Sequence, residues 1–269
     1  MGFCAFLYYS IFMKKVIKLL FLASLFINLT GFCEEIKLIH ITDINLNSKN
    51  AYQLQETIKE INSYKDVDFV LFGGNNISKP DINNFNTFLY LLKKVNKKAY
   101  VLLGSNDVLA SSGIDKDFYL KKVRRALFFR HSSKPNFVFE KNGYVFIAMD
   151  GVKQYFKSTN GYYSKQELLW LKKTLEENKD KNVIILQHFP ILKSSSKWLE
   201  TAKTEDYEEL LSNYKNVKVI ISGHYNKNEE IKQDGIYHII TEGYSKNGAY
   251  KIIEIDLDND FIATYLVRN

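Results

Sequence analysis

Five short stretches of this chain carry side chains able to do chemistry: Thr42-Asp43-Ile44-Asn45, Gly73-Gly74-Asn75-Asn76, Gly104-Ser105-Asn106-Asp107, Gln187-His188-Phe189-Pro190 and Ser222-Gly223-His224-Tyr225-Asn226. Carboxylates and imidazoles are the groups that hold cations and move protons. Each stretch also has an ordinary reading when taken alone. His188 or His224 could be a satisfied core histidine, Asp43 a turn residue, and the asparagines a means of meeting unusual turn geometry. Their recurrence after one apolar run after another is more specific than any single stretch.

Those apolar runs set the elements that must position the five stretches. Ile36 to Thr42 is a β-branched run, followed at Ala51 to Tyr64 by Leu54, Ile58 and Ile61 at helical spacing. The alternation repeats with a strand at Phe69 to Phe72, a helix at Phe85 to Val95, a strand at Tyr100 to Leu103 and a helix near Phe118 to Phe128. Phe137 to Phe139 and Tyr144 to Met149 flank Lys141 to Gly143 as a hairpin. Ser164 with Glu167 three residues on predicts a capped helix burying Leu168, Leu171 and Leu175. Val183 to Leu186 and Val217 to Ile221 read as fully buried strands around a helix at Glu205 to Tyr214. Ile236 to Ile240, Tyr250 to Ile255 and Phe261 to Leu266 are expected to close the chain as an antiparallel set. Together these predict an α/β fold, a four-layer αββα sandwich of two mixed β-sheets flanked by helices. In such sheets functional residues gather at the carboxyl ends of strands, where the five stretches fall.

The chain has 269 residues, 46% of them hydrophobic and 25% charged, with 3 prolines and 13 glycines. These proportions argue against a multi-span membrane protein or a collagen-like rod and leave no long linker between domains. The formal charge is +7, and without Lys14, Lys15 and Lys18 it is +4. Lysines are interleaved with acidic residues, so no nucleic-acid partner is expected.

Residues 1–33 break the globular pattern. From Met13, the more natural translation start, lysines precede an apolar run from Leu19 to Phe32, the layout of a secretory signal peptide cut after Cys33. The expected division is therefore a signal peptide over 1–33 and a folded domain over 34–269, outside the cytoplasm. Membrane attachment is expected only through an uncleaved segment, because Phe32 before Cys33 does not suit a lipid anchor. Cleavage would remove Cys4 and Cys33, the only two cysteines, and with them any disulfide or thiolate chemistry.

The five stretches, in this order and on these elements, resemble the calcineurin-like metallophosphoesterases, whose pattern is D-x-H, G-D, G-N-H-[DE], a lone His and G-H-x-H. Gly161 to Gln187 also resembles that family's helix before the lone His. The resemblance implies a centre of two divalent cations (Mn, Fe or Zn) sharing a bridging carboxylate, clamping a phosphate ester for in-line attack. Carried over residue by residue, Asp43, His188 and His224 are retained metal-ligand positions. Asn45 stands in place of the first motif's histidine, Asn75 in place of the bridging aspartate, Ser105 in place of a liganding asparagine and Asn226 in place of the last histidine. Asn106 takes the place of the general-acid histidine, with Asp107 as the orienting partner of that position.

Four cation ligands exchanged for neutral groups weigh more than the 10- to 100-fold loss, roughly, that follows disturbance of a single supporting contact. Asn106 removes a group worth about 10² to 10⁴ in rate. The expectation is a pseudoenzyme with one bound ion or none, kept for binding a ligand or a protein. The alternative is a weakly active phosphoesterase acting on phosphomonoesters or phosphodiesters. His40, His131 and His238 are read as structural. Ser111 to Lys116 and Ser194 to Lys197 are expected to overhang the pocket.

Overall fold

Every predicted strand forms, and most of the β-branched or aromatic runs bury what they carry, whereas β-runs at the sheet edges leave Val138, Phe261 and Tyr265 exposed. The computed structural model describes residues 35–193 and 199–269, all within one unit, Glu34–Asn269. The signal-peptide segment and Ser194 to Lys197 lie outside the described residues.

The elements in chain order are β1 (Ile36–Ile41), α1 (Ala51–Ser63), β2 (Phe69–Phe72), α2 (Ile82–Leu92), β3 (Lys98–Val101), α3 (Lys116–Ala126), β4 (Phe137–Lys141) and β5 (Tyr144–Met149). They continue with α4 (Lys165–Glu177), β6 (Val183–Gln187), α5 (Glu205–Ser212), β7 (Val217–Ser222), β8 (Glu229–Gln233), β9 (Ile236–Ile240), α6 (Tyr244–Asn247), β10 (Tyr250–Asp256) and β11 (Phe261–Val267). Two mixed sheets result, ordered β11-β10-β1-β2-β3 and β4-β5-β6-β7-β9-β8. Helices flank them, so the α/β sandwich expected from the sequence is the observed fold.

The sheets meet through aromatic rings. Tyr100 of β3 stacks on Phe139 of β4 at 3.7 Å between centroids, and Phe139 stacks on Phe146 at 4.8 Å. Phe69 of β2 meets both Phe139 and Phe146 edge-on. Burying each such ring is worth about 1.5–3 kcal/mol, and the edge-on pairs add their own preference for this geometry.

Some details differ from the sequence reading. Helix α2 starts at Ile82 rather than Phe85, because the Asp81 carboxylate accepts from the amides of Asn83 and Asn84, both at 3.1 Å, and caps the helix earlier. The last β-runs are not one antiparallel set. β9 lies parallel to β7 and antiparallel to β8, while β10 and β11 cross to the other sheet beside β1. β8 escapes hydrophobic patterning because Glu229-Glu230-Ile231-Lys232-Gln233 is a mostly polar edge strand. Its turn, Asp234-Gly235, with φ of 51° and 83°, is the available signal.

The capping box of α4 forms as predicted. Ser164 Oγ accepts from the Glu167 amide at 3.3 Å, and Glu167 Oε2 accepts from the Ser164 amide at 2.6 Å. Leu168, Leu171 and Leu175 are buried beneath it.

Candidate metal centre

The parallel strands β1, β2 and β3 of one sheet and β6 and β7 of the other end on the same side, and their loops interlock. Gly73 donates its amide to the Ile41 carbonyl at 2.8 Å, Asp43 to Gly74 at 3.0 Å and Gly223 to His188 at 3.1 Å. The five stretches are thereby brought together. A sixth loop, after β9, joins them: Tyr244 donates its amide to the Thr42 carbonyl at 2.9 Å and Ser245 to that of Asp43 at 3.2 Å. Sequence reasoning passed over this loop, although Thr241-Glu242-Gly243 follows a β-run as the other stretches do.

The backbone at the loop tips is left-handed. Asp43, Asn45, Asn75, His224 and Asn226 have φ of 53°, 47°, 50°, 66° and 52°. Asparagine, aspartate and histidine are the non-glycine residues most often found in this conformation. Gly74, at φ 96°, leaves room for the imidazole of His188: a Cβ there would lie 2.7 Å from Nδ1.

Asp43 sits at the centre, 1% exposed. Its Oδ2 accepts from Thr42 Oγ1 at 3.0 Å and from the His224 amide at 2.8 Å, and its Oδ1 accepts from Asn75 Nδ2 at 2.9 Å. The orientation of the Asn75 amide is fixed from its other side, where Oδ1 accepts from the Asn106 amide at 2.9 Å. A backbone N–H can only donate, so the Asn75 oxygen faces Asn106 and its NH₂ faces the carboxylate.

His188 is oriented by the same logic. Its Nδ1 lies 2.7 Å from the Gly73 carbonyl, an acceptor, so Nδ1 carries the proton and Nε2 presents a lone pair. That Nε2 is buried without a hydrogen-bond partner and lies 3.9 Å from Asp43 Oδ1. His224 Nε2 is likewise buried without a partner, its ring centroid 5.1 Å from that of His188. Burial pushes His188 below the ordinary imidazole range despite Asp43 and the Gly73 carbonyl. Burial, aided by His188 and opposed by Asp43, pushes His224 down to about 4. Both rings are neutral near pH 7. One ligand atom from each of Asp43, His188 and His224 lies within 4.8 Å of the others. Two bare nitrogens and a carboxylate with no proton between them fit one cation.

The remaining predicted positions lie around this trio. Asn106 Nδ2 donates to Asn45 Oδ1 at 2.9 Å, and Ser105 Oγ donates to Asn75 Oδ1 at 3.4 Å. Asn45 Nδ2 donates to the Asp43 carbonyl at 3.2 Å, and Asn226 Nδ2 to that of His224 at 3.2 Å. The four replaced positions thus bond to their neighbours within the cluster.

Asp107 holds partners other than Asn106. Its carboxylate accepts from Gly104 N at 2.7 Å, Ile77 N at 3.1 Å and Asn76 Nδ2 at 3.1 Å, clasping the β2 and β3 loops together. Burial raises it to about 7 against those donors. Ser111 to Gly113 lie within a tight turn closed by the Leu109–Ile114 bridge, and Lys116, at the start of α3, pairs with Asp150 at 2.5 Å. His131 and His238 lie outside the cluster, as expected. His40 is nearer than the sequence suggested: its Nε2 lies beneath Gly73, and its Nδ1 bonds Thr241 Oγ1 at 2.8 Å.

Comparisons with known proteins agree with this geometry. The chain is 22% identical over 216 residues to the 3',5'-cyclic adenosine monophosphate phosphodiesterase CpdA of Haemophilus influenzae, covering 74% of this chain and 73% of that one. It is 23% identical to a probable cyclic nucleotide phosphodiesterase of Vesicomyosocius okutanii, covering 74% and 82%. Among solved structures, a dimetal phosphatase from Danio rerio superposes with a TM-score of 0.65 at 13% identity, over 87% of this chain and 98% of that one. GAP50, described as the anchor in the inner membrane complex of Plasmodium, superposes at 0.60 and 16%, over 87% and 84%. The profile of the calcineurin-like phosphoesterases matches residues 36–227, and the chain belongs to that family.

Proposed function

We propose that this protein holds at most one divalent cation, on Asp43, His188 and His224, and uses the pocket to bind a ligand or a protein partner rather than to hydrolyse esters at ordinary enzyme rates. The observation that carries this reading is the bond from Asn75 Nδ2 to Asp43 Oδ1 at 2.9 Å. Where the family resemblance calls for a bridging carboxylate, a neutral amide neutralises part of the demand of Asp43 instead. One buried anion cannot offset two double charges held close together at low dielectric. Asn106 is bonded to Asn45 and has no titratable proton to give a leaving group. The fold itself is compatible with either outcome, since activity belongs to the site.

A second reading rests on the two unpartnered nitrogens of His188 and His224. A single cation there would polarise a phosphoryl oxygen and support slow hydrolysis of a phosphomonoester or phosphodiester. The names of the curated relatives make 3',5'-cyclic AMP the first natural substrate to assay. For either reading, work outside the cytoplasm rests on the lysine cluster and apolar run before Glu34, and N-terminal sequencing of the mature protein tests it.

The test is elemental analysis of purified protein, then assay on bis(p-nitrophenyl) phosphate and 3',5'-cyclic AMP with manganese. One equivalent of metal or less, with turnover far below the roughly 1–10³ s⁻¹ of ordinary enzymes, is expected. The combined variant Asn45→His, Asn75→Asp, Asn106→His and Asn226→His should gain both metal and rate. Two equivalents and ordinary turnover in the unmodified protein would overturn the proposal.

A further inference from the structure

At the opposite end of the five-stranded sheet from the loop tips, where β3 begins and α2 and α3 end, lies a cavity of about 220 Å³. Leu92, Val95, Ala99, Ala126 and Leu127 form its apolar wall. Its charged lining is entirely positive, with Lys93, Lys97, Lys98 and Arg130 and no acidic residue. Phe128, also part of the lining, is 75% exposed, and the adjacent Phe129 is 62% exposed. Both have left-handed backbones, with φ of 52° and 62°.

That conformation is unexpected for phenylalanine. A helix ending in this way usually carries glycine at the left-handed position, because a bulky side chain there is strained. The turn is nevertheless well formed, with the Phe129 amide donating to the Arg124 carbonyl at 2.7 Å and the Arg130 amide to that of Leu127 at 3.0 Å. Burial does not account for the choice, since both rings face solvent. Strained backbone of this kind clusters at ligand-binding and switch positions. Arg124 lies over the Phe129 ring at 5.1 Å, and Arg125 is exposed one turn back in the same helix end.

We propose that this end of the molecule docks on an anionic lipid surface, with Phe128 and Phe129 entering the interfacial layer and Lys93, Lys98, Arg125 and Arg130 meeting headgroup phosphates. Charge complementarity selects the occupant. Two adjacent projecting rings beside Lys93, Lys98, Arg125 and Arg130 match a surface that is apolar in depth and negative at its face. The metal-centre loops, at the other ends of the same parallel strands, would face away from that surface.

Hydrogen exchange on the full chain tests this with segment resolution, so that binding through any other part of the protein is read separately. Vesicles of phosphatidylcholine with phosphatidylglycerol should protect residues 124–130 and 93–98 at least several-fold, and vesicles of phosphatidylcholine alone should not. The protection should fall in 0.5 M salt. In the double variant Phe128→Gly and Phe129→Gly the protection should be lost while the melting temperature holds or rises, because glycine relieves the left-handed strain. Arg125→Ala with Arg130→Ala should weaken it without unfolding. Equal protection by neutral vesicles, or protection unchanged in the glycine variant, would overturn the proposal. So would equal protection by inorganic phosphate alone, which would assign the cavity to a small anion. Protection that appears without lipid as protein concentration rises, together with a dimer in sedimentation, would assign the face to a second copy and equally overturn it.

Discussion

The side-chain amide of Asn75 donates to Oδ1 of Asp43 across 2.9 Å, in a pocket where Asp43 is 1% exposed. With Thr42 and the His224 amide it gives the buried carboxylate three donors, and among the described residues Asp43 is the one carboxylate of the cluster it forms with His188 and His224. A cation is therefore not required to balance this group, although the neighbouring imidazole nitrogens leave room for one.

Replacing that amide by a carboxylate should make stability depend on metal. In Asn75→Asp, the bond to Asp43 is lost and two anions face each other, which in EDTA should cost about 1–3 kcal/mol. Manganese should restore much of the loss, and it should shift the unmodified protein less. Thermal melts with and without metal measure this, and equal melting temperatures of the two proteins in EDTA would count against the arrangement.

Cation binding should depend on the three retained residues and on no replaced one. His188→Ala or His224→Ala should bring bound manganese to background in isothermal titration calorimetry. Asn226→Ala, which removes a local bond to the His224 carbonyl, should change affinity far less. Asp43→Asn keeps the shape and tests the charge alone.

Acid should destabilise the fold through its histidines. All five are held below the ordinary imidazole value chiefly by burial, with His40 at about 3 and His224 and His238 at about 4. Between roughly pH 6.5 and those values the unfolded chain binds protons that the native protein does not, so stability falls as pH falls. Each histidine contributes a slope of about 1.4 kcal/mol per pH unit in that window. Asp107, raised by burial to about 7, and Glu167, also raised chiefly by burial, act in the opposite sense above the ordinary carboxylate range but are two groups against five. Urea titrations at pH 7 and 5 should show the fall, and His238→Gln should reduce it by about one proton.

Gly74→Ala should damage the site more than a left-handed glycine elsewhere. Its Cβ would meet His188 Nδ1 at 2.7 Å and the Leu103 carbonyl at 2.8 Å, in addition to the cost of about 1–2 kcal/mol for the left-handed backbone. Gly113→Ala, at φ 80° with nothing within 4 Å, supplies the backbone cost alone. The difference between the two melting temperatures reads the packing around His188, and metal affinity should fall only in the first variant.

Much of this protein was legible before any coordinates. Short β-branched and aromatic runs and helical stripes follow from which parts of an element must leave water, so β1 through β7 and α4 with its Ser164–Glu167 box could be read directly. β8 could not, because an exposed edge strand has one hydrogen-bonding side and little apolar demand. The parallel placement of β9 was hidden too, since pairing partners far apart in sequence leave no local periodicity. Asp43, His188 and His224 were nameable from residue type and order. The clasp of Asp107 on Gly104, Ile77 and Asn76, and the approach of His40 to Gly73, were not, because hydrogen bonds between loops depend on where two strand ends meet.

The sequence by itself determined the family, the αββα layering and the residue types available at each loop tip, since these follow from local pattern and motif order. Only the tertiary structure decided that the Asn75 amide turns its NH₂ toward Asp43 and that two imidazole nitrogens are left facing it. Those outcomes depend on which atoms are brought within 3 Å once two sheets close on each other, and hydrogen-bond direction at that range is set by neighbours from distant parts of the chain.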